Sequence, residues 1–117
     1  NDHLVIQIST LGMEKLKNFI GEILIRELAP KAILEKSLSP SRAEEGLKPL
    51  QQILKGEVAK NIPILENGIK FLVDPINGQK TGFFLDQREM RSLVKEKAHG
   101  KRVLNCFSYT GGFTAYA

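Results

Sequence analysis

Val103-Leu-Asn-Cys-Phe-Ser-Tyr-Thr-Gly-Gly-Phe-Thr-Ala-Tyr-Ala117 is the stretch on which the reading of this chain turns. A short apolar run (Val103, Leu104, Cys106, Phe107) meets a tight polar turn over residues 108–112, and Phe113-Thr-Ala-Tyr-Ala117 then has the character of a helix start. Strand, glycine turn and helix start is how an open α/β sheet builds a ligand crevice, at the carboxyl end of a strand where the next helix begins. Gly111 and Gly112 carry no Cβ and let backbone approach a ligand closely. The same residues also serve an ordinary strand-to-helix turn, and the turn alone does not choose between the two. Most walls of such a crevice are expected to lie outside these 117 residues.

The spacing of the glycines narrows the ligand. A dinucleotide fingerprint needs G-x-G-x-x-G, and Ser108-Tyr-Thr-Gly-Gly-Phe113 does not have it. A ligand without pyrophosphate that still needs close backbone approach, such as S-adenosylmethionine, suits the turn better. Gly78-Gln-Lys-Thr81 resembles the end of a phosphate-binding P-loop, but Gln79 separates glycine from lysine and position 73 is valine, so it reads as a turn into a strand.

Bulk properties set outer bounds. With 42% hydrophobic and 26% charged residues the composition is that of an ordinary globular protein. The length suits one domain, or a small domain and the first piece of another. A formal net charge of +4 favours a polyanionic partner such as nucleic acid, though weakly at this length. The single cysteine cannot form an internal disulfide, which is expected of a reducing, cytoplasmic location. No apolar run approaches the roughly 20 residues that span a bilayer, so no membrane partner is expected. The start at Asn1 rather than methionine is expected of a piece of a longer protein.

Upstream, Leu4-Val-Ile-Gln-Ile8 predicts a strand buried on both faces. Ser9 or Thr10 can cap a helix over residues 11–28, whose Met13, Leu16, Phe19, Ile20, Ile23, Leu24 and Leu28 recur at three and four. Pro30 ends it. Residues 31–36 predict a second strand and 37–46 a loop or short helix, while 47–54 has helical spacing at Leu50, Ile53 and Leu54 but is bracketed by Pro49 and Gly56 and stays ambiguous. Ile62-Pro-Ile-Leu-Glu66 and Ile69-Lys-Phe-Leu-Val73 flank Asn67-Gly68, the signature of a type I′ hairpin, with Pro63 suited to a sheet edge. Asp74-Pro-Ile-Asn-Gly78 makes a turn, and residues 79–85 predict a further strand. Asp86 with Glu89 reads as a capping box for a second long helix. Met90, Leu93, Val94 and Ala98 would form its apolar stripe and Gly100 its stop. Arg88, Arg91 and Lys95 share a basic stripe beside it, either a solvated face or a grip on a carboxylate or phosphate backbone.

No reaction can be read directly from the residues. His3 and His99 lack partners at metal-ligand spacing, so no metal is expected. Cys106 is expected to be a buried strand cysteine rather than a nucleophile. There is no Gly-x-Ser-x-Gly elbow.

Three segments nevertheless resemble a known family: Glu66-Asn-Gly-Ile-Lys-Phe-Leu-Val-Asp74, Gly78-Gln-Lys-Thr-Gly-Phe-Phe-Leu-Asp-Gln-Arg88 and Val103-Leu-Asn-Cys-Phe-Ser-Tyr-Thr-Gly-Gly-Phe113. They are similar to the class I S-adenosylmethionine-dependent methyltransferases of large-subunit ribosomal RNA, in the branch that methylates cytosine at C5. The resemblance implies an α+β small domain, an accessory RNA-binding domain over residues 1–78. It is followed in residues 79–117 by the first strand of a Rossmann-like α/β methyltransferase sheet. It implies that Ser108, Thr110, Gly111, Gly112 and Phe113 line the methionine part of S-adenosylmethionine, flanked by Phe107 and Tyr109. Gln87 would bond the cofactor's amino-acid end with its amide, and Arg88, beside the same pocket, would offer positive charge nearby together with Arg91. Lys80, Arg91 and Lys95 are the residues expected to meet RNA.

The family's acidic ribose ligand, its Asp-Pro-Pro segment and the cysteine that attacks C6 of cytosine are expected beyond Ala117, so no catalytic residue is expected within the chain. The PUA domain that precedes this region in many relatives is also absent from the sequence. The implied activity is therefore that of a parent enzyme. The rival reading is a non-catalytic RNA-binding or assembly module, and the exposed edge of 103–107 would favour a homodimer.

Overall fold

The computed structural model describes residues 2–117, which form two compact units, Asn1–Ala59 and Lys60–Ala117. The boundary expected after residue 78 falls inside the second unit. The reason is that the hairpin at 62–73 shares its core with Phe83 and Tyr116.

In the first unit, β1 (His3–Ile6) pairs parallel with β2 (Ala32–Ser37), which pairs antiparallel with β3 (Leu50–Lys55), in the order β1-β2-β3. The segment at 47–54, whose only pattern was a short helical spacing, instead holds most of β3, which finds its partner on the second side of β2. All of β2 is buried, whereas β1 is half-buried along its length. The expected two-sided burial of the first strand is corrected accordingly, because β1 has a neighbour on one side only. The strand also ends at Ile6, and the Ile8 amide donates to Ser37 Oγ at 2.9 Å.

The helix expected over 11–28 is broken in two, α1 (Leu11–Lys15) and α2 (Lys17–Leu28). Thr10 caps α1, its hydroxyl accepting from the Met13 amide at 3.4 Å. At Leu16 the amide bonds back only three residues, to Met13 O at 3.1 Å, which closes the first piece. Ala29, left-handed at φ 43°, ends α2 ahead of Pro30. The apolar face is only partly covered: Ile20, Ile23 and Leu24 are half-buried while Met13, Leu16, Phe19 and Leu28 are exposed. A short helix, α3 (Ser41–Glu44), occupies the 37–46 segment.

Charged groups inside this unit are partnered. Buried Glu35 accepts from Lys17 Nζ (3.0 Å), Gln52 Nε2 (2.8 Å) and Ser37 Oγ (2.8 Å). Lys17 also pairs with Glu14, which in turn meets Arg42 at 3.1 Å. Burial works against the Lys17 ammonium, but its bonds to Glu14 and Glu35 leave its pKa raised. The Lys17 bond, followed by that of Arg42 and against desolvation, lowers that of Glu14.

The second unit opens with the hairpin of β4 (Ile62–Glu66) and β5 (Ile69–Val73), in the register Glu66↔Ile69 to Ile62↔Val73. Asn67 (φ 49°) and Gly68 (φ 83°) both take positive φ, as a type I′ turn requires. Phe71 and Val73 pack with Phe83 and Tyr116 as the core, the Phe71 and Phe83 rings 5.0 Å apart. Asp74 Oδ1 accepts from the amides of Ile76 and Asn77, both at 2.9 Å.

The strand expected over 79–85 does not form. The chain folds back on Asp74 instead: Gly82 takes φ +91° and its amide returns to Gln79 O at 2.8 Å. A Cβ at Gly78 or Gly82 would overlap the Asp74 carbonyl oxygen. A 3-10 turn (Leu85–Gln87) then leads into α4 (Arg88–Ala98). Asp86 lies inside that turn, Gln87 holds the cap position without a side-chain bond, and the expected capping box is absent.

The buried face of α4 also differs from the apolar stripe. Met90 and Leu93 are exposed, whereas Arg91 and Ala98 are buried, because Arg91 reaches Glu66 on β4. Its Nε donates to Glu66 Oε1 at 2.7 Å and its Nη2 to Oε2 at 2.8 Å. The Tyr116 hydroxyl, on α5 (Gly112–Tyr116), donates to Glu66 Oε1 at 3.0 Å.

Residues 103–107 pair with no strand among the described residues, and the chain bends at Cys106 and Phe107, the latter left-handed at φ 58°. Leu104 and Phe107 are 87% and 102% exposed, and Cys106 is exposed as well. The expected burial of Cys106 is corrected on that ground: an apolar run is buried only with neighbours to cover it. Among the described residues no helix is long and apolar enough to cross a membrane.

The Glu66–Arg91 pair makes two testable demands on stability. Removing one partner of a buried pair leaves an uncompensated charge, so Arg91→Met is expected to cost about 3–5 kcal/mol in urea unfolding. The double change Glu66→Leu with Arg91→Met should cost less, since it buries no lone charge. The Arg91 bonds, against desolvation and aided by Tyr116, hold the Glu66 carboxyl below its usual 4.5. A carboxylate with a depressed folded pKa contributes its full stability above the unfolded value and loses it as pH falls through the folded one. Melting curves of the wild type and Glu66→Gln are therefore expected to be well separated at neutral pH and to converge as pH falls below 4.5 and through the depressed folded value.

Candidate nucleotide-cofactor pocket

A pocket of about 280 Å³ lies within the second unit. Its walls come from two stretches that the hairpin core brings together. One is the 79–91 segment, with Gln79, Phe84, Gln87 and Arg91, and the other is 105–113. Ligand pockets run from about 300 to 1,000 Å³, so this one is sized for part of a larger ligand. The polar residues of its lining are Gln79, Gln87, Asn105, Arg91, Ser108 and Thr110. Its apolar surface is mainly aromatic, from Phe84, Phe107, Tyr109 and Phe113.

Of the residues that sequence reasoning singled out for the cofactor, Gln87, Phe107, Ser108, Tyr109, Thr110, Gly112 and Phe113 meet at this pocket. Arg88 and Gly111 do not line it. Arg88 lies half-exposed with Nε 3.5 Å from Glu66 Oε2, and Gly111 sits at the cap of α5 with φ +71°. Arg91, read from the sequence both as positive charge near the cofactor and as an RNA contact, is buried at 2% exposure and lines the pocket. Its Nη1 donates to Phe84 O at 3.0 Å, and its guanidinium lies 4.5 Å from the Phe83 ring centre. Lys80 sits over the Phe84 ring at 4.9 Å, and Lys95 is exposed on α4. Gln79, Phe84, Asn105 and Cys106 were missed. Only Phe84 carried a usable signal, as one of two adjacent aromatics just before Gln87.

The turn is built on uncommon backbone. Phe107 (φ 58°), Tyr109 (φ 47°) and Gly111 (φ 71°) are all left-handed, a conformation that aromatic residues rarely take and that concentrates at ligand-binding sites. The Gly111 amide bonds back to Ser108 O at 2.7 Å. Gly112 is needed at its place for a different reason, since a Cβ there would come to 3.2 Å from Arg91 Cδ. The buried ion pair thus supports the pocket floor, and the start of α5 rests on it. Among the described residues no three His, Cys, Asp or Glu side chains cluster as metal ligands would.

Comparison with known proteins gives this arrangement a context. Residues 42–117 match the family model described as S-adenosylmethionine-dependent methyltransferase. The proteins named ribosomal RNA large subunit methyltransferase I from Shewanella denitrificans and Aeromonas salmonicida are each 48% identical over 99% of this chain and 30% of their own length. The protein of that name from Vibrio cholerae is 44% identical with the same coverage. The chain thus spans about 30% of the length of these curated relatives. Among solved structures, a proposed S-adenosylmethionine-dependent methyltransferase from Streptococcus mutans matches 99% of the chain and 29% of its own, with a TM-score of 0.80 and 29% identity. A proposed methyltransferase solved in complex with SAH matches with a TM-score of 0.79, 29% identity and the same coverage.

Because Cys106 stands exposed beside the turn, the single thiol of the folded chain is expected to react with Ellman's reagent in the absence of denaturant. A thiol that titrated only in urea would contradict this placement.

Proposed function

The chain belongs to the S-adenosylmethionine-dependent methyltransferase family, and from that premise we propose that its 79–113 pocket receives the amino-acid end of S-adenosylmethionine in an enzyme that methylates large-subunit ribosomal RNA. The observation that carries the reading is the meeting of Gln87 with the 107–113 turn around one pocket. Bound there, the cofactor supplies a methyl group on a positively charged sulfur. The chain's own residues would grip and orient it. Gln87 offers an amide to the carboxylate or ammonium, and Ser108 and Thr110 offer hydroxyls. Phe84, Phe107 and Phe113 offer aromatic surface, which attracts a sulfonium through its negative face and excludes water. The size of the pocket supports a partial grip, with the ribose and adenine held by groups outside it.

Ribosomal RNA as the substrate is supported by the names of the relatives at 44–48% identity. Charge supports it too, and favours one unit over the other. Asn1–Ala59 carries eight Lys/Arg and eight Asp/Glu, whereas Lys60–Ala117 carries nine against five, the whole of the +4 excess. Phosphate contact would then fall on the second unit, with Lys80 and Lys95 among its exposed cations, rather than on an RNA-binding accessory domain at 1–78. Cytosine C5 as the methylated atom is the finer part of the proposal and rests on the resemblance of the three segments quoted above. The catalytic thiol of such an enzyme would be a residue other than Cys106.

Isothermal titration of S-adenosylmethionine into the protein that carries this chain, at its full length, tests the reading. Binding is expected, and Gln87→Ala should weaken it by about tenfold, the worth of a hydrogen bond to a charged group. Transfer of labelled methyl to a large-subunit rRNA transcript, with 5-methylcytosine recovered on digestion, tests the substrate and the atom. RNA binding without cofactor binding would overturn the enzyme reading in favour of a non-catalytic RNA-binding module.

A further inference from the structure

Resting on the cofactor reading above, we propose that Tyr109 is a positioning residue. It clamps the 78–84 loop to the 108–111 turn so that the two walls of the pocket are set before the cofactor arrives. An aromatic residue next to the glycines would ordinarily be taken for a cofactor contact, and the geometry gives its hydroxyl other work. Tyr109 Oη accepts from the Gln79 amide at 2.7 Å and donates to Gly82 O at 3.2 Å. A phenol has one proton to donate, and Gly82 takes it. The ring is likewise engaged with the loop, edge-on to Phe84 with centres 5.5 Å apart at 68°. Lys80 sits over that same Phe84 ring at 4.9 Å.

The loop is shaped to receive the hydroxyl. A Cβ on Gly78 would stand 2.9 Å from Tyr109 Oη, and Gly82 presents its carbonyl from a backbone at φ +91°. Tyr109 in turn reaches the loop from a left-handed backbone, φ 47°. Both ends of the clamp adopt conformations that ordinary chain avoids, and the hydrogen bonds are what hold them in register. Gln79 and Phe84 on one side and Ser108 and Thr110 on the other all line the pocket. Their spacing depends on the clamp. Without it, ligand binding has to order the two walls, and affinity falls by that cost.

The test compares wild type with Tyr109→Phe in the full-length protein that carries this chain. This change keeps the ring against Phe84 and removes only the hydroxyl. Two readouts are taken: S-adenosylmethionine affinity by calorimetry, and hydrogen exchange of a peptide spanning residues 78–84 in the absence of cofactor. Tyr109→Phe is expected to weaken the cofactor by about tenfold and to raise exchange in that peptide while sparing β4 and β5. In methyl transfer the loss is expected in KM for the cofactor. Unchanged affinity overturns the proposal whether or not exchange rises, and weakened affinity without faster exchange at 78–84 overturns it by making the hydroxyl a direct cofactor contact. A variant that fails to fold also overturns it, since the hydroxyl would then serve the fold rather than the pocket. Absence of cofactor binding in the wild type overturns the cofactor reading and this proposal with it, whereas normal wild-type binding with an unchanged variant overturns this proposal alone.

Discussion

A single buried ion pair organises the second unit. Glu66 is the last residue of β4 and Arg91 lies one turn into α4, and their bidentate contact, with the Tyr116 hydroxyl on the same carboxylate, ties hairpin, long helix and terminal helix together. An isolated hairpin is marginal in water, and five buried or half-buried apolar residues of the hairpin do not make a large core. What they lack in area the pair supplies as geometry. A planar guanidinium with donors on Glu66 and on Phe84 O allows one orientation of α4 relative to the hairpin, where an apolar contact would allow several. Desolvation makes such a pair a modest source of net stability, so its contribution is specificity of arrangement.

That arrangement decides what the pocket can be. Arg91 forms part of its lining and fixes Phe84 through the carbonyl, while Gly112 fits against the Arg91 methylenes and lets α5 begin where it does. The same residue thus sets both walls. Its charge is largely spent on Glu66, and polar recognition in the pocket passes to neutral groups, the amides and hydroxyls of Gln79, Gln87, Asn105, Ser108 and Thr110. Neutral donors and acceptors suit a zwitterionic amino-acid end, which presents both signs of charge within a few ångströms.

What the sequence made legible follows from how local each signal is. The Asn67-Gly68 hairpin was readable because two adjacent residues that tolerate positive φ specify the turn without outside help. The Thr10 cap and the stop at Ala29-Pro30 were readable for the same reason. Three features were not. Residues 79–85 carry Phe83, Phe84 and Leu85 as a strand could, but Gly78 and Gly82 fold the segment onto the Asp74 carbonyl, a contact made outside its own pattern. The Asp86-Glu89 capping box is a good local signal that lost to a 3-10 turn imposed by packing at Phe83 and Phe84. The face of α4 was assigned by hydrophobicity, which cannot foresee that an arginine will be its most buried long side chain once Glu66 faces it. For the pocket, the glycine turn, Gln87 and the nearness of Arg91 could be found by motif, whereas Gln79, Asn105 and the burial of Arg91 against Glu66 exist only through tertiary contacts.

The energetics of the 107–111 turn explain why its support has to come from elsewhere in the unit. A non-glycine residue held left-handed costs on the order of 1–2 kcal/mol, and Phe107 and Tyr109 both are. Within the turn, the Gly111 amide bond to Ser108 O returns about 1 kcal/mol at most. Local preference therefore opposes this shape, and the turn would relax if left alone. The Tyr109 hydroxyl bonds to Gln79 and Gly82, each worth about 0.5–1.5 kcal/mol, are of the size needed to close the gap. Strain in the turn is thus balanced by contacts thirty residues away in sequence, on a loop that itself bends only because glycines stand at 78 and 82. A binding surface held in this way is rigid where it meets the ligand and sensitive to changes at residues that never touch it.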